Sequence, residues 1–341
     1  MTYNTIMNPF KVSAKKRVFV TRPFADDGIV MLREKGYDVD VFERDEVIPR
    51  HELLTRAKGA DALLSLLTDK IDAEVLDAAG PSLKIVANYA VGFDNIDLIE
   101  AKKRKIPVTN TPAPEVSESV AEHAFTLMLA LGHRITESDT YAKAGRYKGW
   151  SPNNLIGTDV YGKTLGIIGL GRIGFAVAER AVKGFKMKCV YSDPKRNGDF
   201  EREFGATYLP IDKLLQTADF ISLHVPLLPS TRHLIDDEAI SLMKKTAFLI
   251  NTARGPVVSE KALLRALRTR RIAGAALDVF ECEPAIDCDL TDKLELKQFP
   301  NVILTPHTAS ATIEARQAMS RVAASNIIAV LEGREPLTPA K

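Results

Sequence analysis

One stretch of the chain, residues 163–193, constrains its fold more than any other. Its sequence is KTLGIIGLGRIGFAVAERAVKGFKMKCVYSD. Short apolar runs at 165–168 and 189–191 predict two buried parallel strands. Between them, small and apolar residues recur at helical spacing over 175–185. Strand, glycine turn, helix and strand together predict one βαβ unit, and therefore an α/β fold built on a parallel sheet.

The turn of this unit contains a G-x-G-x-x-G at Gly169, Gly171 and Gly174. The first glycine permits the tight turn, the second lets the backbone approach a pyrophosphate, and the third lets helix and strand pack closely. The helix N-terminus then offers free N–H groups to the phosphates. Asp193 ends the second strand, where a carboxylate can accept hydrogen bonds from an adenosine ribose. A glycine turn alone is a weak signal, but the whole pattern predicts a dinucleotide site.

Length and composition exclude several classes of protein. A chain of 341 residues predicts two domains. Its 45% hydrophobic and 26% charged residues are typical of a soluble globular protein. The net charge of +2 gives no reason to expect nucleic acid or an anionic membrane as a partner. Apolar runs such as 124–131 are too short to span a bilayer, and residues 1–16 contain no apolar signal core.

The chain has three cysteines, Cys189, Cys282 and Cys288, and no C-x-x-C pattern. An odd and sparse count predicts reduced thiols and a cytoplasmic location. Cys282 and Cys288 could form half of a metal site, but no nearby histidine completes it. We therefore predict no metal.

The alternation of strand and helix continues on both sides of the βαβ unit. Before it, strands are predicted at 17–22, 37–42, 60–66, 83–87 and 106–109, with helices between them. After it, strands are predicted at 218–224, 247–251, 272–279 and 302–305, helices at 211–217, 237–245 and 259–270, and a long helix at 311–331. Residues 116–147 form one long helix or two in sequence, with Thr111, Ser117 or Ser119 as cap. Their wide apolar surface indicates burial in a domain or a subunit interface.

Ligands bind at the carboxyl ends of the strands in an open parallel sheet. Three residues that follow predicted strands, Arg254, Glu283 and His307, are of the types that hydride transfer to a ketone requires. A histidine can donate the proton, an arginine can hold and polarise the substrate, and a carboxylate can keep the histidine protonated. The acidic Glu281 is interpreted as solvated.

Six ordered segments resemble the D-isomer-specific 2-hydroxyacid dehydrogenase family, most closely its glyoxylate/hydroxypyruvate reductases. They are YAVGFDNID (89–97), TLGIIGLGRIG (164–174), LHVPLLPSTRHLI (223–235), NTARGPVV (251–258), ALDVFECEP (276–284) and LTPHTASAT (304–312). The resemblance implies two Rossmann-like or flavodoxin-like doubly wound parallel-sheet domains with a cleft between them. The substrate domain would be discontinuous, at 1–115 and 309–341. The NAD-binding domain would span 116–308, including a dimerisation region at 116–147.

The resemblance also implies roles for individual residues. His307 would be the general acid/base, Glu283 its carboxylate partner and Arg254 the residue that grips the substrate. Backbone amides at Val91 and Gly92 would form a second carboxylate clamp. Trp150, in the loop 148–162, would reach the active site of the partner subunit in a homodimer. The cofactor-binding residues would be Gly169, Leu170, Gly171, Arg172, Ile173, Gly174, Asp193, His224, Pro226, Thr231, Thr252, Ala253, Arg254, Asp278, His307 and Ala309, with Asp278 on the nicotinamide carboxamide.

The implied activity is NAD(P)H-dependent reduction of a small 2-oxo acid, glyoxylate or hydroxypyruvate, to the D-2-hydroxy acid. Asp193 predicts NADH over NADPH, because a 2′-phosphate would meet like charge. D-lactate dehydrogenase, D-3-phosphoglycerate dehydrogenase and a dinucleotide-sensing corepressor remain alternatives. Val91 stands where phosphite dehydrogenases have lysine, and Glu283 where formate dehydrogenases have glutamine, so both activities are in doubt. Thr308-Ala309 replaces the Ile-Gly of many relatives.

Overall fold

Two parallel sheets organise the part of the chain that the computed structural model describes, residues 15–283 and 295–340. Unit 1 comprises residues 15–111 and 319–340, and unit 2 comprises 112–283 and 295–318. Each unit is an α/β unit on one parallel sheet, so the predicted fold class is confirmed. The division into a substrate domain (1–115 and 309–341) and an NAD-binding domain (116–308) stays a prediction.

Unit 1 contains a five-stranded sheet in the order β2-β1-β3-β4-β5. Its strands are β1 (Arg17–Val20), β2 (Asp38–Val41), β3 (Ala62–Ser65), β4 (Ile85–Asn88) and β5 (Val108–Thr109). Its helices are α1 (Asp26–Glu34), α2 (Arg50–Ala57), α3 (Ala73–Ala79) and α4 (Leu98–Lys103). The strand order reverses between β1 and β3, which places a topological switch point at their carboxyl ends.

Unit 2 contains a seven-stranded sheet in the order β12-β11-β10-β9-β6-β7-β8. Its strands are β6 (Thr164–Ile168), β7 (Lys188–Ser192), β8 (Thr207–Tyr208), β9 (Phe220–Leu223), β10 (Phe248–Asn251), β11 (Gly274–Leu277) and β12 (Val302–Leu304). Its helices are α5 (Pro114–Gly132), α6 (Ile135–Lys143), α7 (Arg172–Glu179), α8 (Gly198–Phe204), α9 (Ile211–Thr217), α10 (Asp237–Leu242), α11 (Glu260–Arg268) and α12 (Ile313–Leu331), which continues into unit 1. This is the doubly wound order of dinucleotide-binding folds, with its switch point between β6 and β9.

Helices cover both faces of the unit 2 sheet. Leu249 and Ala275 pack into one hydrophobic cluster, and their neighbours Ile250 and Ala276 pack into the cluster on the opposite face. Because both faces are buried, the strands are continuously apolar rather than alternating. The sequence therefore signals them as short apolar runs.

The wide apolar region at 116–147 is two helices, α5 and α6. They are separated at Arg134, whose φ of +53° breaks the helical path. The predicted hydroxyl caps are wrong, because α5 begins at Pro114 with Ala113 as N-cap. Proline suits the first helical position, since its fixed φ is helical and its missing N–H would have no partner there.

The sequence patterns did not predict α8 or β8. Strand β8 extends the sheet beyond β7, and α8 connects the two strands. The two-residue β8 is too short for any periodic signal. Asn197 caps α8 by accepting a hydrogen bond from the Phe200 amide at 3.1 Å, and Phe200 is buried.

The described cysteines differ in state. Cys189 is free and buried, and burial raises the pKa of its thiol to about 12. Cys282 is disulfide-bonded, so the expectation of reduced thiols is wrong for this residue. Cys288 lies outside the described residues.

Within the described ranges, no helix has the length and apolar character to cross a membrane, and no group of three or more His, Cys, Asp or Glu side chains could hold a metal ion.

Candidate active site

The glycine turn joins β6 to α7 at the switch point of unit 2. Gly169 has a φ of +93°, a conformation that residues with a Cβ rarely adopt. A Cβ on Gly174 would lie 2.2 Å from the Gly169 carbonyl oxygen, so only glycine allows helix and strand to pack this closely. A Cβ on Gly171 would meet no atom within 4 Å, which leaves open space beside the N-terminus of α7. An anion can approach these backbone amides.

Asp193 follows β7 and is tied to this turn. Its Oδ2 accepts a hydrogen bond from the Leu170 amide at 2.8 Å, and its Oδ1 accepts one from the Lys195 amide at 3.0 Å. Each carboxylate oxygen can accept a further hydrogen bond. These two hydrogen bonds fix the orientation of the Asp193 carboxylate, and its oxygens can still accept hydrogen bonds from a diol.

Other residues predicted to contact the cofactor lie after β9 and β10. The Thr252 hydroxyl is buried and makes no hydrogen bond within the described part of the chain. Burial lowers the pKa of His224 to about 3, and its Nε2 lies 2.9 Å from the Ser222 hydroxyl. His224 is therefore neutral at working pH and is unsuited to donate a proton. An orphaned hydroxyl at the same sheet edge as an open glycine turn fits a nicotinamide dinucleotide.

His307 and Glu283 form a direct pair. The Nδ1 of His307 lies 2.7 Å from Oε2 of Glu283, and both side chains are partly exposed. A carboxylate at Nδ1 fixes the Nδ1–H tautomer and leaves Nε2 as the nitrogen for proton exchange. Two residues that the sequence separates by 24 positions are thus brought into contact.

The turn Thr305–Ala309, which we call the histidine turn, is organised by Asp278. Oδ1 of Asp278 accepts hydrogen bonds from the Thr305 hydroxyl at 2.6 Å and the Thr308 amide at 2.8 Å, and Oδ2 accepts one from the Ala309 amide at 2.9 Å. Burial of Asp278 by itself raises its pKa, but hydrogen bonds from His123, Thr305 and the backbone amides lower the pKa below its usual range. Asp278 is therefore a buried, ionised group.

Arg254 follows β10, the strand beside β11. Asn251 holds this loop by accepting from the Ala253 amide at 3.0 Å and donating to the Arg254 carbonyl at 2.9 Å. A Cβ on Gly255 would lie 1.7 Å from the Phe280 carbonyl oxygen, so glycine lets the loop pack against the segment that leads to Glu283. The register of β10, β11 and β12 aligns Asn251, Leu277 and Leu304, which places the three loops at one sheet edge.

Comparison with known proteins identifies the family. The model of the D-isomer specific 2-hydroxyacid dehydrogenase NAD binding domain matches residues 125–309, more than half of the chain. The chain is 50% identical over 323 residues to a glyoxylate reductase of Korarchaeum cryptofilum, covering 94% of this chain and 95% of that protein. The chain belongs to the D-isomer specific 2-hydroxyacid dehydrogenase family. It is an NAD(P)-dependent oxidoreductase, and the resemblance seen in the sequence is confirmed.

Solved structures agree with this assignment. The TT0316 protein from Thermus thermophilus is 42% identical to this dehydrogenase, with a TM-score of 0.87 over 95% of this chain and 100% of that one. A D-lactate dehydrogenase from Aquifex aeolicus, complexed with NAD and lactic acid, is 34% identical, with a TM-score of 0.81 over 93% of this chain and 96% of that one. Family membership supports reduction of 2-oxo acids with a nicotinamide dinucleotide.

In unit 1 of this dehydrogenase, the loop Ala90–Gly92 presents donors rather than acceptors. The Ala90 carbonyl oxygen accepts a hydrogen bond from the Thr111 amide at 2.9 Å, and the Val91 carbonyl oxygen accepts one from Asn110 Nδ2 at 2.6 Å. The Gly92 carbonyl oxygen accepts one from Asn88 Nδ2 at 3.0 Å. Within the described ranges, the Val91 and Gly92 amides donate no hydrogen bond. A loop with occupied carbonyls and available N–H groups favours an anion.

The dehydrogenase exposes its one tryptophan. Trp150 is 83% exposed. Four other large hydrophobic side chains between residues 135 and 161 are also exposed: Ile135, Tyr147, Ile156 and Tyr161. All five side chains come from one stretch of the sequence, which makes this stretch a candidate interaction surface.

The interpretation of Glu281 as solvated is wrong. Its Oε1 lies 2.5 Å from His233 Nε2, and its Oε2 accepts from the Glu260 amide at 3.1 Å. The Glu281 amide in turn donates to Glu260 Oε1 at 2.6 Å. Burial raises the pKa of Glu260, and the nearby charges of Glu281 and Glu283 raise it further. Glu281 therefore anchors the segment that presents Glu283.

Sequence reasoning also missed His123, Asn88 and Asn110. His123 is a polar residue within the apolar surface of α5, and Asn88 ends an otherwise apolar β4. A polar residue inside an apolar run was the available signal, because buried polar groups require partners.

Proposed function

We propose that this dehydrogenase reduces glyoxylate or hydroxypyruvate to the corresponding D-2-hydroxy acid, with NADH as the preferred hydride donor. The observation that supports this best is the His307–Glu283 pair, 2.7 Å apart, at the sheet edge that also bears Arg254. The 50% identity to a glyoxylate reductase favours a small oxo acid as the substrate.

Each residue of the proposed site has a separate role in the reaction. The reduced nicotinamide, when bound, supplies the hydride. Nε2 of protonated His307 donates a proton to the carbonyl oxygen, while Glu283 stabilises the imidazolium by its charge at Nδ1. The guanidinium of Arg254 binds the substrate carboxylate and polarises the carbonyl. The amides of Val91 and Gly92 are further donors for a substrate carboxylate.

Residues of the unit 2 sheet would hold the dinucleotide. The amides of the Gly169–Gly174 turn would bind the diphosphate and Asp193 would bind the adenosine ribose. The Thr252 hydroxyl and the Asp278 loop would contact the nicotinamide. D-lactate dehydrogenase is the rival activity, because a D-lactate dehydrogenase is 34% identical over most of this chain.

A panel of oxo acids with both cofactors tests this proposal. We expect kcat/KM to be highest with glyoxylate or hydroxypyruvate, and higher with NADH than with NADPH, because Asp193 opposes a 2′-phosphate. Asp193→Ser should reduce the preference for NADH. Initial rates followed by NADH or NADPH absorbance give all these values.

Two results would contradict it. A higher kcat/KM with pyruvate than with glyoxylate would favour the lactate dehydrogenase alternative. A wild-type preference for NADPH would show that Asp193 does not select the cofactor.

We further infer that the chain forms a homodimer through the region 116–147 and the exposed residues that follow, with Trp150 reaching the partner's substrate site. Heterodimers of Trp150→Ala and Arg254→Ala subunits should then regain activity, because one of their two sites has both residues intact. About half of the wild-type activity per dimer is expected. Differently tagged subunits, purified as heterodimers, provide the assay.

A matched control pairs Arg254→Ala subunits with subunits that carry both substitutions. That heterodimer has no intact site and should stay inactive. If the first heterodimer also stays inactive, Trp150 does not serve the partner's site.

A further inference from the structure

We propose that His123 is a positioning residue that holds the histidine turn, and with it His307, in the conformation required for proton transfer. This inference rests on the proposed function, because it assigns a consequence for catalysis to a residue outside the proposed substrate contacts. His123 lies in α5, and Thr305 lies 182 positions later at the end of β12. Nothing in the sequence links the two residues.

The contacts form a chain from α5 to the histidine turn. Nε2 of His123 lies 3.1 Å from the Thr305 hydroxyl and 3.4 Å from Oδ1 of Asp278. The Thr305 hydroxyl lies 2.6 Å from the same Oδ1. Asp278 in turn accepts hydrogen bonds from the amides of Thr308 and Ala309. His123 is therefore linked, through Thr305 and Asp278, to residues on both sides of His307.

The directions of these hydrogen bonds follow from the chemistry of the groups. Ionised Asp278 can only accept, so the Thr305 hydroxyl donates to it. That hydroxyl then has only lone pairs to offer to His123, so Nε2 of His123 is the donor. Replacing His123 with an apolar side chain removes this donor, so Asp278 alone holds the Thr305 hydroxyl and the Asp278 carboxylate loses a polar neighbour.

The histidine turn needs such support because its backbone is strained. His307 has a φ of +54°, a left-handed conformation that is unfavourable for a residue with a Cβ. Strained residues persist where surrounding contacts fix them. The His307 amide donates to the Asp278 carbonyl at 2.8 Å, and the Asp278 side chain holds the next two amides. His123 therefore supports Asp278, which accepts hydrogen bonds from Thr305, His307, Thr308 and Ala309 of this turn.

The experiment compares His123→Leu, which removes the donor, with His123→Gln, whose side-chain amide keeps a donor at similar reach. We expect kcat for glyoxylate reduction to fall roughly 10- to 100-fold in His123→Leu, since small displacements of a catalytic group have effects of this size. The KM for glyoxylate and the Kd for NADH should change less than about twofold, because His123 is not among the residues proposed to contact either ligand. His123→Gln should recover most of kcat. His51→Leu, which replaces an exposed histidine on α2 outside the proposed site and dimer region, is the control and should equal the wild type.

Hydrogen–deuterium exchange of the full-length protein gives a readout that does not depend on turnover. Exchange at the amides of Thr308 and Ala309 should be faster in His123→Leu only. An unchanged kcat in His123→Leu would overturn the proposal. Equal losses of kcat in His123→Leu and His123→Gln, together with faster amide exchange throughout α5, would also overturn it. If the wild type reduces no oxo acid, the proposed function fails, and the exchange comparison alone then decides whether His123 holds the turn.

Discussion

His307→Ala should lower kcat/KM for glyoxylate reduction by about 10²–10⁴-fold at every pH, because the proton donor itself is lost. Other described histidines offer no substitute at this position. His224 is neutral at working pH because burial lowers its pKa to about 3, and Nε2 of His233 is already paired with Glu281. Steady-state rates from pH 5 to 9 with saturating NADH measure the effect. A variant that retains a tenth or more of the wild-type value would show that another group donates the proton.

Glu283→Gln tests the same mechanism through its pH dependence. Reduction requires the imidazolium form, and the negative charge 2.7 Å from Nδ1 favours that form. Glutamine keeps the size and a hydrogen-bonding group but removes the charge that favours the imidazolium. The basic limb of the kcat/KM profile should therefore move to lower pH.

Glu281→Gln is not a neutral control for this experiment, because Glu281 is bonded to His233 and to the start of α11. Glu238, exposed on α10 in the same unit, is the better match. Its substitution by glutamine should leave the profile unchanged. An unmoved basic limb in Glu283→Gln would rule out the His–carboxylate mechanism for this enzyme.

Arg254→Lys should raise KM for the oxo acid about 10- to 100-fold with little change in the Kd of NADH. Lysine keeps the charge but cannot form the planar pair of hydrogen bonds that a guanidinium makes with a carboxylate. A lost charge-assisted hydrogen bond costs about 1.5–3 kcal/mol, and each 1.4 kcal/mol changes an equilibrium constant about tenfold. Rates over a glyoxylate series and fluorescence titration with NADH separate the two constants.

A near-normal KM in Arg254→Lys would show that another group holds the carboxylate. Arg33→Lys, an exposed substitution on α1, provides the control for the loss of an arginine and should match the wild type in both constants. A parallel rise in the Kd of NADH would instead assign Arg254 mainly to the cofactor.

Much of the fold could be predicted from the sequence, because its signals are local. The apolar run 165–168, the glycines at 169, 171 and 174 and the acid at 193 lie within one βαβ unit, and each has a conformational reason. Parallel strands align their carboxyl ends, so residues after successive strands are expected at one edge. That rule alone predicts Arg254, Glu283 and His307 on neighbouring loops. The boundary of α5 and the short β8 were missed, because single caps and two-residue strands leave no periodic pattern.

The tertiary structure decided which of these neighbours touch. The local pattern alone does not distinguish Glu281 from Glu283, two acids separated by one residue, because the choice depends on which side chain the loop turns toward His307. The family resemblance favoured Glu283. In the structure, Glu283 contacts His307 and Glu281 contacts His233. The support of the histidine turn by Asp278 and His123 was likewise invisible, since α5 and β12 are far apart in sequence. A hydrogen bond requires atoms within about 3.5 Å, and only the folded chain brings such distant residues to that distance.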